Sequence, residues 1–163
     1  MSYYPLATGN SWTYKMKDGN SYTNEVTASD GNLFTMKNSL MPDTAQVRKD
    51  GDVYSANHWD SAKFQVLLKD NAATGDSWEV KFTANGLESI LVHTVKESGI
   101  TKEVNGKTYP DVLLIEAESK LLMNGNIMPL NYFTQYYYAK SIGLIMTTSS
   151  MGDVHTLQSY VLN

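Results

Sequence analysis

A chain of 163 residues with no cysteine and a formal charge of -4 has the size of one domain and excludes disulfides, thiol catalysis and cysteine-based metal sites. It carries no Lys/Arg run, so it lacks the electrostatic footprint that neutralises phosphates, which argues against nucleic acid and anionic membrane surfaces as partners. No apolar stretch approaches the ~18 residues of a transmembrane helix.

Charged residues make up only 18 %, which leaves Ser, Thr, Asn and Tyr to cover much of the surface. That mix suits strands and turns better than long helices. The chain opens with Met1 to Leu6, which reads as a start Met placed directly before a folded segment. Trp12, Tyr14 and Met16 then alternate with Thr13, Lys15 and Lys17, the period of a half-buried strand. Asp18-Gly19-Asn20 reads as a tight turn. Tyr22, Asn24, Val26 and Ala28 share one face of the next strand. Asp30-Gly31-Asn32 turns into a strand over Leu33 to Asn38, and Val47 to Ser55 reads as a hairpin around Asp50-Gly51-Asp52.

Asp60 to Asp70 reads differently. Phe64, Leu67 and Leu68 have helical spacing, with Asp60 or Ser61 as N-cap, so a short helix near 60–70 competes with a strand. Beyond it, Trp78, Val80 and Phe82 face inward up to Asn85-Gly86. Leu87 to Lys96 and Ile100 to Val104 are expected as two strands around a turn at Ser98-Gly99. After Asn105-Gly106, Val112 to Met123 is a long strand ending at Asn124-Gly125-Asn126. Pro129 precedes a strand from Tyr132 to Ala139. Leu144 to Ser149 and Val154 to Leu162 complete the set. Short strands punctuated by glycine turns predict an all-β fold: a single curved antiparallel sheet, open or half-barrel, with 1–163 as one domain.

Ala7-Thr8-Gly9-Asn10-Ser11-Trp12 echoes Ala73-Thr74-Gly75-Asp76-Ser77-Trp78. Shared turn chemistry at the start of each half of the sheet is the preferred reading over two related half-sites.

Several segments carry a family resemblance. They are Tyr4-Pro5-Leu6, Gly9 to Tyr14, Gly75-Asp76-Ser77-Trp78, Val104 to Val112, Tyr137 to Ile145, Leu157 and Tyr160. In this order the chain resembles a poorly characterised bacterial family of envelope β proteins, sometimes called TapB-like. The resemblance implies a strongly curved sheet similar to the half-barrels of lipoprotein carriers. It also implies the periplasm or the cell envelope, with the cytoplasm as the alternative compartment. This chain lacks the family's leader and lipid-anchor Cys. It has Ser141-Ile142 where the family usually has Gly-Val, which implies a less kinked strand there. The family supplies no catalytic residues.

The chemistry-bearing residues are few. Glu116 and Glu118 share one strand face at a separation of ~7 Å, inside the range for inverting glycoside hydrolysis, but alternating charges on a wet face are the preferred reading. His58, His93 and His155 are scattered, and nothing local supplies the three or four convergent ligands of a zinc site. Each is expected to be a satisfied structural histidine. No metal and no cofactor are expected.

The aromatic residues are the stronger set. Tyr132, Tyr136 and Tyr138 share one strand face, with Phe133 and Tyr137 on the other. With Trp12, Trp59 and Trp78 they are a candidate ligand-binding surface on the concave face, to which Met123, Met128 and Met146 add adaptable apolar area; simple core packing is the preferred reading for most of them taken singly. The expected function is a non-catalytic module binding an apolar ligand or a partner protein. A protein-interaction or inhibitor-like role through open sheet edges comes second. A glycan hydrolase using Glu116 and Glu118 comes last. The oligomeric state is left open.

Overall fold

The computed structural model describes residues 2–163; Met1, part of the expected start segment, lies outside the described residues. Twelve strands form one sheet. They are β1 (Ser11–Met16), β2 (Ser21–Asp30), β3 (Leu33–Asn38), β4 (Thr44–Asp50), β5 (Val53–Ala56) and β6 (Gln65–Lys69), followed by β7 (Ser77–Ala84), β8 (Leu87–Val104), β9 (Lys107–Met123), β10 (Asn126–Ala139), β11 (Gly143–Ser149) and β12 (Val154–Val161). All paired strands are antiparallel. The spatial order is β6-β5-β4-β3-β2-β1-β12-β11-β10-β9-β8-β7. The expected curved antiparallel sheet is present, and it curls further than a half-barrel, until its two edge strands meet. At that seam Gln65 on β6 takes both backbone groups of Lys81 on β7 with its side-chain amide.

In an up-and-down sheet successive connections alternate between the two ends. One end holds the connections at 17–20, 39–43, 57–64, 85–86, 124–125 and 150–153. The other holds those at 31–32, 51–52, 70–76, 105–106 and 140–142, together with the segment before β1. That segment closes its end. The Tyr3 N–H donates to Asp70 at 2.8 Å, and the Ser141 N–H donates to the Ser2 carbonyl at 2.7 Å. The side chain of Asn10, 1 % exposed, donates to the Pro5 carbonyl at 2.7 Å and accepts the Asn163 N–H at 2.6 Å.

Inward and outward residues alternate as the period-two pattern requires. One core cluster joins Val47, Tyr54, Leu68, Trp78, Leu113, Ile115 and Tyr138. A second joins Trp12, Tyr14, Val26, Val104, Tyr109, Val112, Ala139, Ile145 and Leu157. The second core exists because β8 and β9 outrun the barrel. Register shifts between Val95 and Lys102 bend their distal arm across β10–β12. There Asn105 donates to the Leu157 carbonyl at 2.9 Å, and the Lys102 ammonium lies 4.9 Å from the centre of the Tyr137 ring.

Three expectations are corrected. No helix forms near 60–70. The segment is strand β6, and a bulge between Tyr54 and Ser55 skips Leu67 in the ladder. Leu67 and Leu68 thus both pack on the core, and two adjacent inward side chains imitate helical spacing. Ser98-Gly99 is not a turn. It is an irregularity inside the continuous strand β8, with Gly99 at φ 66°. Nor is the backbone straighter at Ser141-Ile142: Ser141 keeps a left-handed φ of 67° without glycine's freedom, a conformation that costs an L-residue about 1–2 kcal/mol.

The echoed turns superimpose in their bonding. The Gly9 N–H donates to the Val26 carbonyl and the Val26 N–H to the Asn10 carbonyl. Likewise the Gly75 N–H donates to the Val95 carbonyl and the Val95 N–H to the Asp76 carbonyl. The same turn chemistry launches each six-strand half.

Candidate ligand cavity

The barrel encloses a cavity of about 620 Å³, within the range of small-molecule sites. Its far wall is aromatic and aliphatic. Trp12 and Tyr14 enter from β1. The Trp12 indole N–H donates to the Ile142 carbonyl at 2.7 Å, and the Tyr14 hydroxyl donates to the Leu144 carbonyl at 2.8 Å. Tyr136 and Tyr138 enter from β10 opposite Ile115 and Leu113. Tyr4, from the closing segment, forms the floor, its ring 5.5 Å from Trp12, 5.8 Å from Tyr54 and 6.4 Å from Tyr138. Burial pushes the phenols of Tyr4, Tyr14 and Tyr138 well above the usual tyrosine range, so they stay protonated.

The mouth is more polar. Asn38, Asp43 and Thr44 line it from the β3–β4 connection, and Asn57, His58, Trp59 and Ser61 from the 57–64 loop. That loop is shaped by its own acids and amides. Asp60 accepts the Ala62 N–H at 3.0 Å, and Asn57 accepts the Gln46 N–H at 2.7 Å. Held this way, Trp59 meets His58 at 3.9 Å between ring centres and His93 at 6.0 Å, edge to face.

His93 is the centre of this aromatic group. Its imidazole lies parallel to Trp78 at 5.8 Å and near Tyr136 at 6.5 Å. It is 3 % exposed and lines the cavity. Its Nδ1 and the Trp78 Nε1 are buried without a hydrogen-bond partner among the described residues. Burial lowers His93 to about 4, outweighing an upward pull from the Leu91 backbone, and the neighbouring His58 lowers it further. Burial among the loop residues likewise lowers His58 to about 4. Both rings are neutral at pH 7, so Asp43 is the one charged group among the lining residues.

Of the six aromatic candidates, Trp12, Trp59, Tyr136 and Tyr138 converge on this cavity. Trp78 lies behind His93. Tyr132 sits beside the register shift at the root of the β9–β10 hairpin, away from the lining. Met123 and Met128 are exposed on that hairpin, and Met146 packs in the second core. Glu116 and Glu118 occupy the face opposite the cavity. Glu116 accepts from Gln135 at 2.9 Å and pairs with Lys96 at 3.7 Å, while Glu118 pairs with Lys120 at 3.9 Å. His155 is satisfied by the Tyr22 hydroxyl at 2.6 Å; His93 departs from that expectation. No group of three metal-ligating side chains occurs among the described residues.

Sequence reasoning missed Tyr4, the mouth loops and the central place of His93. The alternation of Leu91, His93 and Val95 carried a signal for His93, since a histidine between inward apolar residues is either paired or waiting for a partner. Nothing local marked Tyr4, whose ring contacts with Trp12, Tyr54 and Tyr138 are all distant in sequence.

Fold and site together define a nearly closed, twelve-stranded, up-and-down antiparallel barrel with an aromatic internal cavity. The chain is similar to a solved protein from Bacteroides fragilis NCTC 9343 described as exported and of YmcC-like fold. The TM-score is 0.59, over 98 % of each chain at 10 % identity, a likeness that shows the shared fold. No family model and no curated protein matches the chain.

Proposed function

We propose that this chain is a non-catalytic binding module of the bacterial cell envelope that holds an apolar small molecule inside its barrel. The observation that carries the reading is the cavity of about 620 Å³, walled by Trp12, Tyr136, Tyr138 and Trp59. The envelope assignment is supported by the TapB-like resemblance and by the description of the Bacteroides fragilis protein as exported. A binding role without catalysis is supported by the outward, ion-paired placement of Glu116 and Glu118. The competing idea of a partner strand added at an open sheet edge is weakened by Gln65, which already occupies both backbone groups of Lys81.

The test is titration of detergent-free protein with phenylnaphthylamine, an apolar fluorophore. Saturable one-to-one binding is expected, and Ala45→Trp, which puts bulk into the lining, should weaken it about tenfold or more, ~1.4 kcal/mol. Unsaturable binding by the wild type, or equal affinity in the variant, would overturn the reading.

A further inference from the structure

The large apolar side chains left outside the fold are not scattered. All of those exposed except Val161 lie at the end where the cavity opens. Two lips carry most of them. Leu40 and Met41, 59 % and 57 % exposed, crown the β3–β4 connection. Met123, Ile127, Met128 and Leu130 crown the β9–β10 hairpin. In the strand order these two connections are half the sheet apart, so in a nearly closed barrel they face each other across the mouth. The hairpin also projects. Asn126 to Pro129 pair only with β9, and β11 joins β10 only from Thr134 onward. Singly exposed apolar residues are ordinary, but a rim of them around one opening marks an interaction surface.

The charges beside the lips say what kind of surface fits. Lys37 and Asp43 flank the first, and Lys120 and Glu88 flank the second. Neither sign dominates, which suits a zwitterionic layer better than an anionic one or a charged protein. The opening itself supplies the second argument. An apolar ligand leaving the cavity must pass between the lips, and a water gap there would expose it. We infer that the open end docks on a zwitterionic lipid bilayer, with the two lips entering the headgroup–acyl boundary, so that the apolar ligand passes between bilayer and cavity without crossing water. The ligand-transfer half rests on the proposed function; the docking half rests on the rim alone.

Flotation of the full chain with phosphatidylcholine vesicles tests it. The wild type should float with the vesicles. Met41→Ser and Ile127→Ser, on opposite lips, should each lower the partition coefficient roughly tenfold, as expected for withdrawing one apolar side chain from the bilayer. Val161→Ser, at the closed end, should not change it, and far-UV circular dichroism should show all variants folded. A wild type that stays with the free protein overturns the inference. So does an equal loss in Val161→Ser, or a concentration-dependent dimer that Met41→Ser and Ile127→Ser disperse, which would make a second copy the occupant of the rim. Phenylnaphthylamine binding in vesicle-free buffer separates the two readings. Flotation without probe binding removes the cavity reading and keeps docking, whereas probe binding without flotation removes docking.

Discussion

The side-chain amide of Gln65 stands in for a strand at the barrel seam: its Nε2 donates to the Lys81 carbonyl at 2.9 Å and its Oε1 accepts the Lys81 N–H at 2.8 Å. One side chain therefore completes a ladder rung between strands that otherwise end in solvent. Gln65→Ala is expected to lower stability by about 1 kcal/mol, since Lys81 is exposed and water can replace the lost bonds. Gln65→Glu keeps the acceptor and loses the donor, so it should fall between. Urea melts give the stability, and amide exchange at Lys81 reports the seam directly. Unchanged exchange in Gln65→Ala would show that the rung does not hold the edges together.

His93 predicts an acid-sensitive fold. Its folded value of about 4 lies below the ~6.5 of an exposed histidine. Between these values the unfolded chain binds the proton and the folded chain does not. Stability is therefore complete above pH ~6.5 and declines as the pH falls toward about 4, by roughly 2–3 kcal/mol in total. His58, its ring partly covered by Trp59, shifts in the same direction, but the residue is less buried than His93, so His93 carries the larger share. His93→Gln should flatten the pH dependence of the urea midpoint across this window. An equally steep profile in the variant would assign the effect elsewhere.

Asp70 anchors the closed end. It accepts from the Tyr3 N–H at 2.8 Å and the Tyr54 hydroxyl at 2.9 Å, with Lys49 at 3.9 Å. Asp70→Ala strands two donors in a half-buried site and should lower stability by about 2 kcal/mol. The first residues should also become sensitive to limited proteolysis. Protection equal to the wild type would mean that packing of Tyr3 and Tyr4 suffices.

Gly143 takes φ 119°, and a Cβ there would lie 2.8 Å from the Trp12 Nε1. Gly143→Ala must displace the indole that bonds the Ile142 carbonyl. Strain and the lost bond together are expected to cost about 3 kcal/mol. Tryptophan emission should shift to the red as Trp12 gains water. An unshifted spectrum with full stability would show that the neighbouring backbone yields instead.

Much of the barrel was legible because period-two patterning and glycine turns are local. Trp12 with Tyr14, and Trp78 with Val80, declared their inward faces within a few residues. What failed was also local. The bulge at Leu67 placed two neighbouring leucines on one side, which no alternation rule anticipates. At Ser98-Gly99 the left-handed glycine marked an irregularity within a strand, where the same signal elsewhere marks a turn. The cavity was only half legible. Alternation put Tyr136 and Tyr138 on one face, but it extended that face to Tyr132, beyond the register shift after Pro129. The floor made by Tyr4 leaves no trace in sequence, because its ring contacts lie on β1, β5 and β10; the stacking of Trp78 on His93, opposite each other in the β7–β8 hairpin, depends on a register that alternation alone does not fix.

The first strand lies against the last, with Trp12 opposite Tyr160, while every other pairing joins strands consecutive in the chain. Two six-strand meanders can therefore condense early from hairpins, but their union must wait until both extremities of the polypeptide are free to meet. Joining sites so far apart carries the largest loop-closure entropy in the molecule and is expected to be the slowest step of folding. Until it is complete, each meander presents its aromatic side to solvent, the stage at which such a chain is most prone to aggregate.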